Sequence, residues 1–221
     1  MGQAADGSDS LAVEIAPASH WPEMRAAILV VSAAKKDVSS TAGMQATVKT
    51  SALFSHRAAN VVPQRMEAMK AAIRERDFKA FAAHTMADSN QFHAVCLDTT
   101  PPIFYLNDVS RAAIRAVEAL NNLKGEPVAA YTFDAGPNAV IYYQEKDEET
   151  VLGFIGPLLA PSVADWTSRY PSTKVVPEEG LLDIRPFEPL KEGVSRVILT
   201  RVGEGPIKTE QSLIGADGLP I

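Results

Sequence analysis

The sequence predicts an α+β domain in which helices pack on a mainly antiparallel sheet. Three observations carry this expectation. The apolar run AAILVVSA at residues 26–33 reads as a buried strand. The stretch YTFDAGPNAVIYY at 131–143 reads as a strand, a turn and a second strand, which is hairpin patterning. Helical periodicity fills the interval between them, and SRVILTRVG at 195–203 supplies a closing strand.

The elements follow in chain order. SLAVEIA at 10–16 alternates like a strand ahead of the run at 26–33. In KKDVSSTAGMQATVKTS, hydroxyl residues precede a helical pattern. Pro63 suits the first turn of a helix whose Val62, Met66, Met69 and Ile73 share one face. Asp77 caps a further helix carrying Phe78, Phe81, Thr85, Phe92 and Cys96 on one side. Pro101 and Pro102 then force a loop. A helix from Asp108 or Ser110 buries Ile114, Val117 and Leu120 and ends by Gly125. EKDEET at 145–150 reads as a solvated charged turn, and 156–186 as loops with short helical pieces. No internal repeat appears.

With 46% hydrophobic and 22% charged residues, the 221-residue chain has the composition of a soluble globular protein. A net charge of -6 disfavours nucleic acid and anionic membranes as partners, so any anionic ligand needs a local cradle. The single cysteine, Cys96, sits in an apolar helical pattern, which points to a buried inert thiol and a cytoplasmic protein. No apolar run approaches the roughly 20 residues that span a bilayer. MGQAADGSDS lacks a signal-peptide pattern, and Asp at the sixth position argues against myristoylation. The four histidines lack metal-ligand spacing, so no metal site is expected.

Two constellations can carry chemistry. In KKDVSSTAG, Ser39, Ser40 and Thr41 stand where a strand gives way to a helix. A helix start offers unpaired N–H groups and partial positive charge, a natural cradle for phosphate oxygens. Lys35 and Lys36 add local charge. The same hydroxyls also suit plain helix capping. In the hairpin, Tyr131 and Phe133 point one way while Thr132 and Asp134 point the other. With the rings in a core, Asp134 faces outward at the strand's end, and Gly136 leaves the backbone open to a ligand. A carboxylate there could serve as a base or orienting group for an alcohol. Asp before Gly and Pro is equally ordinary turn chemistry.

KKDVSSTAGMQ, MADSNQFHAVCLDTTPPIFYLND, YTFDAGPNAVIYY and ILTRVGEGP together resemble the diphosphomevalonate decarboxylase family, in order and over nearly the whole chain. The resemblance implies the ferredoxin-like C-terminal domain of the galactokinase, homoserine kinase and mevalonate kinase superfamily. It implies an ATP- and Mg2+-dependent reaction of mevalonate 5-diphosphate, giving isopentenyl diphosphate, ADP, phosphate and carbon dioxide within the isoprenoid and sterol route. By motif, Asp134 matches the catalytic carboxylate, and the hydroxyls of VSSTAGM match groups that touch the substrate diphosphate. Ser39, Ser40 and Thr41 are therefore the substrate-binding candidates. A homodimer is implied for the full-length protein.

The departures matter as much. The superfamily's Gly-rich Ser-Ser-Ala loop for ATP phosphates is absent, as is the segment with the substrate-binding arginine. The expectation is a remnant of an N-terminal domain at 1–24, a C-terminal superfamily domain at 25–221, and no turnover by this polypeptide alone. The competing readings are a non-catalytic small-molecule-binding or interaction module of the same fold, and another superfamily kinase such as phosphomevalonate kinase. The hairpin aspartate argues against the latter.

Overall fold

The computed structural model describes residues 4, 6, 8–31, 38–163, 185–205, 208–210, 212–215 and 217–219. Its centre is a four-stranded antiparallel sheet. The buried run expected at 26–33 forms β1 (Met24–Val30), beginning two residues earlier. The hairpin supplies β2 (Ala129–Thr132) and β3 (Ala139–Gln144), and the closing run supplies β4 (Arg196–Arg201). The strand order is β2-β3-β1-β4, with every pairing antiparallel. Register places Ile28 opposite Val140 on one side and Ile198 on the other.

Among the described residues, seven α-helices accompany this sheet, and local sequence explains where most begin and end. The helix α1 (Ser40–Thr50) starts behind Ser39. A short α2 (Ala52–His56) runs through a π-helical turn (Arg57–Val61) into α3 (Val62–Glu75), with Pro63 in its first turn as expected. At its end Arg76 adopts a left-handed φ of 55°. The Asp77 N–H then reaches the Ala72 carbonyl at 2.9 Å, which closes the helix. The Asp77 side chain next accepts the Ala80 N–H at 3.0 Å and starts α4 (Phe78–Asp98). One residue thus ends one helix and caps the next.

An Asn107–Ser110 capping box opens α5 (Asp108–Lys124), and Gly125 at φ 71° closes it. Val117 and Leu120 are fully buried, while Ile114 is only half-buried. Each fully buried side chain contributes about 1.5–3 kcal/mol of transfer free energy. The largest core cluster joins Val117 and Leu120 to Leu29, Tyr131, Ile141 and Tyr143 of the sheet. Asn121 fastens this helix to β2: it accepts the N–H groups of Val128 and Ala129 and donates to the Ala129 carbonyl, at 2.9–3.1 Å.

Several expectations need correction. Residues 10–16 form no strand; Leu11 and Val13 are each 77% exposed, and residues 11–14 are exposed on both alternating faces. Met66 is exposed, because the inner stripe of α3 runs through Ala72, with Met69 and Ile73 half-buried. EKDEET is more than a solvated turn. Glu145–Asp147 make a 3-10 turn and Glu148 begins α6 (Glu148–Ile155), with Arg25 paired to Glu145 at 2.7 Å. The fully apolar half of α6 has no exposed side, so periodicity could not reveal it. At 156–186, expected as loops with short helical pieces, the described part bears this out with 3-10 turns at Gly156–Leu158 and Arg185–Phe187, and the stretch 164–184 lies outside the described residues. After it comes α7 (Glu188–Gly193). Cys96 is buried as expected, and burial pushes its thiol pKa up.

Candidate functional site

Two arms meet beyond the ends of β1 and β2. The first is the N-terminus of α1. Ser39 has extended backbone, and its Oγ accepts the Ala42 N–H at 3.1 Å. It is therefore the N-cap, one of the two roles read from its sequence position. Ser40 and Thr41 follow in the first helical turn with exposed side chains. Their N–H groups have no acceptor inside the helix, so this end presents donors and partial positive charge to its surroundings. Lys35 and Lys36 lie outside the described residues.

The second arm is the connection from β2 to β3, residues 133–138, and it is fastened along its length. The Phe133 N–H donates to Ser89 Oγ at 3.1 Å. The Gly136 N–H donates to the Asp134 carbonyl at 2.8 Å. Ser110 Oγ donates to the Pro137 carbonyl at 2.9 Å, and the Val31 N–H donates to Asn138 Oδ1 at 2.9 Å. Phe133 is buried and Asp134 exposed, as strand alternation requires. Gly136, expected to open the backbone to a ligand, is instead buried. The turn's outward-facing acid is Asp134.

A cavity of about 230 Å3 joins the arms, with Ser40, Gly43, Thr47, Arg57, Tyr105 and Ala135 in its wall. Tyr105 Oη donates to the Ser39 carbonyl at 3.3 Å. Burial pushes the Tyr105 phenol pKa up, and the nearby Cys96 and Asp134 push it further. Burial also pushes His93 down to about 4, against a hydrogen bond to the Phe133 backbone and the attraction of Asp134. The Asp134 charge is felt at both groups. Arg57 spends its charge within the protein, on Asp88 at 2.7 and 2.8 Å and on Gln91 at 2.7 Å. That pairing holds the Asp88 carboxyl below its usual range.

Of the four candidate residues, Ser40 lines this cavity itself, Ser39 reaches it through its carbonyl's bond to Tyr105, and Asp134 adjoins it through its neighbour Ala135. A larger cavity of about 460 Å3, lined by Trp21, Ile28, Phe81, Tyr142 and Arg201, contains none of them and is mostly apolar. Among the described residues, no group of three or more His, Cys, Asp or Glu could hold a metal ion. No helix of the described residues is long and apolar enough to cross a membrane. Sequence reading missed Tyr105 and His93, which join the arms from the interior. One signal was present: Ile103 and Tyr105 are buried while Phe104 is 74% exposed, a strand-like alternation inside what reads as a loop. The arrangement offers helix-start N–H donors on one arm and an exposed carboxylate on the other.

A family profile described as the Mevalonate 5-diphosphate decarboxylase C-terminal domain matches residues 26–209. A diphosphomevalonate decarboxylase of Aspergillus fumigatus is 60% identical over 98% of this chain and 55% of its own length. A crystal structure of mevalonate 5-diphosphate decarboxylase superposes with a TM-score of 0.84 at 49% identity, over 99% of this chain and 57% of that one. A solved structure of MDDEF in complex with MVAPP, AMPPCP and magnesium superposes with a TM-score of 0.59 at 29% identity, over 64% of this chain and 43% of that one. The chain spans about half the length of the curated relatives it matches.

Proposed function

The chain belongs to the mevalonate 5-diphosphate decarboxylase family, and from that premise we propose that it forms the diphosphate-gripping and acid-bearing side of an ATP-dependent decarboxylase. The substrate is mevalonate 5-diphosphate and the product isopentenyl diphosphate. The observation that carries the reading is the shared cavity: Ser40 from one arm and Ala135, next to Asp134, from the other line the same space.

In this reading the diphosphate oxygens lie on the N–H groups and hydroxyls of Ser40 and Thr41. Ser39 holds the helix start in shape through its cap. The Asp134 carboxylate takes a hydrogen bond from the substrate's tertiary hydroxyl, orienting its oxygen toward the γ-phosphorus of ATP. That oxygen bonds to phosphorus as its proton passes to the Asp134 carboxylate, and ADP leaves. The carbon–oxygen bond then breaks to release phosphate, while the electrons of the carboxylate's carbon–carbon bond form the alkene and carbon dioxide departs. Mg2+ accompanies ATP as part of the co-substrate, in keeping with the AMPPCP and magnesium of the MDDEF structure.

The 221 residues contain no Gly-rich phosphate loop. Phosphoryl transfer depends on positioning and on charge stabilisation, so this polypeptide by itself is expected not to turn over. Residues 1–24 read as part of a preceding domain and 25–221 as the C-terminal superfamily domain. A homodimer, cytoplasmic location and a place in sterol synthesis complete the proposal. The test is Asp134→Asn in the full-length protein. Turnover should fall by about 100-fold or more, with mevalonate 5-diphosphate affinity kept within about threefold because the diphosphate grip lies elsewhere. Ordinary turnover in that variant would refute the role of Asp134.

A further inference from the structure

We propose that Tyr105 is a positioning residue that sets the spacing between the N-terminus of α1 and the Asp134 turn. The inference rests on the site reading given above and deepens it. Tyr105 is 8% exposed and stands between the two arms. Its hydroxyl donates to the Ser39 carbonyl, the same oxygen that accepts the Gly43 N–H at 2.8 Å as the first bond of the helix. The tyrosine therefore holds the helix start itself and not a remote turn.

Gly43 gives an independent sign of this contact. It is buried in the first turns of α1, where glycine weakens a helix relative to alanine. A Cβ at this position would overlap Tyr105 Oη and stand 3.3 Å from Cζ. The helix accepts that weakness and lets the phenol close against its backbone.

On its other side the Tyr105 ring meets His93 edge-to-face, with centroids 6.5 Å apart. His93 in turn meets Phe133 edge-to-face, with centroids 6.2 Å apart. Ala135 packs on the cluster of Cys96, Ile103 and Tyr105. Both neighbours of Asp134 in the chain thus rest on the Tyr105 side of the molecule. A continuous row of contacts runs from the Ser39 carbonyl to the residue before the carboxylate. Shortening or loosening that row shifts the acid relative to the gripped diphosphate without removing any group that touches substrate.

The experiment uses the full-length protein with mevalonate 5-diphosphate and ATP, comparing Tyr105→Phe, Gly43→Ala, the double variant and Asp134→Asn. Tyr105→Phe should lower kcat about tenfold while KM for mevalonate 5-diphosphate stays within about threefold, since misplacement costs the reacting step more than the grip. Its thermal midpoint should stay within a few degrees of the parent. Gly43→Ala should lower kcat further. The double variant should be faster than Gly43→Ala alone, because removing the hydroxyl makes room for the new methyl.

Parent-like kcat in Tyr105→Phe overturns the inference, as does a double variant no faster than Gly43→Ala. Should Gly43→Ala fail to fold, the kcat-against-KM split of Tyr105→Phe decides alone. If Asp134→Asn is inactive while the Tyr105 variant is normal, only this inference falls. If Asp134→Asn turns over normally, the site reading falls with it.

Discussion

His93 makes the stability of this fold depend on pH between the ordinary imidazole value of 6.5 and its folded value of about 4. The ring is 7% exposed and enclosed edge-to-face by Phe92, Tyr105 and Phe133. Its Nε2 is buried with no hydrogen-bond partner among the described residues. Burial favours the neutral form and brings its pKa from 6.5 down to about 4. The sign follows from linkage. Between these values the unfolded chain takes up a proton that the folded chain refuses, so stability falls as pH falls through 6.5 and levels off below about 4. The full loss is about 3 kcal/mol, of which about 2 kcal/mol comes between pH 7.5 and pH 5. Hydrogen bonds from Arg57 and Ser51 hold Asp88 and Asp98 below the ordinary carboxylate range, whereas burial pushes the Asp147 carboxyl up, so only a comparison with a variant separates His93 from the acids. Urea unfolding of the parent and His93→Gln at several pH values isolates the contribution, since glutamine is neutral throughout. The parent should lose about 2 kcal/mol more than the variant on acidification to pH 5. Parallel pH curves for the two proteins would refute the buried, neutral imidazole.

Three further outcomes are expected. Ser39→Ala should destabilise the fold by about 1 kcal/mol through loss of the α1 cap, whereas Ser40→Ala should leave denaturation midpoints nearly unchanged. Titration of the full-length protein with mevalonate 5-diphosphate should show Ser40→Ala or Thr41→Ala weakening binding by about 1–3 kcal/mol; unchanged affinity in both would return them to helix-start residues. Asn121→Leu orphans two buried N–H groups and a carbonyl, costing about 3–5 kcal/mol in a urea melt; a cost under about 1 kcal/mol would contradict the satisfied buried geometry. The 221-residue polypeptide with ATP, Mg2+ and mevalonate 5-diphosphate should release no carbon dioxide above the uncatalysed background, and measurable release would overturn that expectation.

Local chemistry made much of the fold legible. Ser39 and Asp77 act through side-chain oxygens within three residues, so their capping could be read directly. Alternation across Tyr131–Asp134 predicted which side chains turn inward, because a strand leaves a side chain only two choices. What stayed hidden was non-local. Val151–Ile155 are buried all round, which erases the periodicity that marks an amphipathic helix. Residues 10–16 carry a strand's alternation but find no edge to pair with in the described fold, and pattern without a partner does not make a strand. In the site, the groups at the surface were found and their supports were not. Ser110 and Ser89 read as ordinary helix residues until folding brings them to the Asp134 turn. His93 and Tyr105 likewise gain their roles from contacts across the chain.

The central claim is that the start of α1 and the Asp134 carboxylate act on one small molecule. A crystal structure of the full-length protein with mevalonate 5-diphosphate bound tests it most directly. The account predicts diphosphate oxygens on the N–H and hydroxyl groups of Ser40 and Thr41, with the tertiary hydroxyl within hydrogen-bond reach of Asp134, about 2.6–3.2 Å. A diphosphate seated away from α1, or a tertiary hydroxyl turned from Asp134, would contradict it.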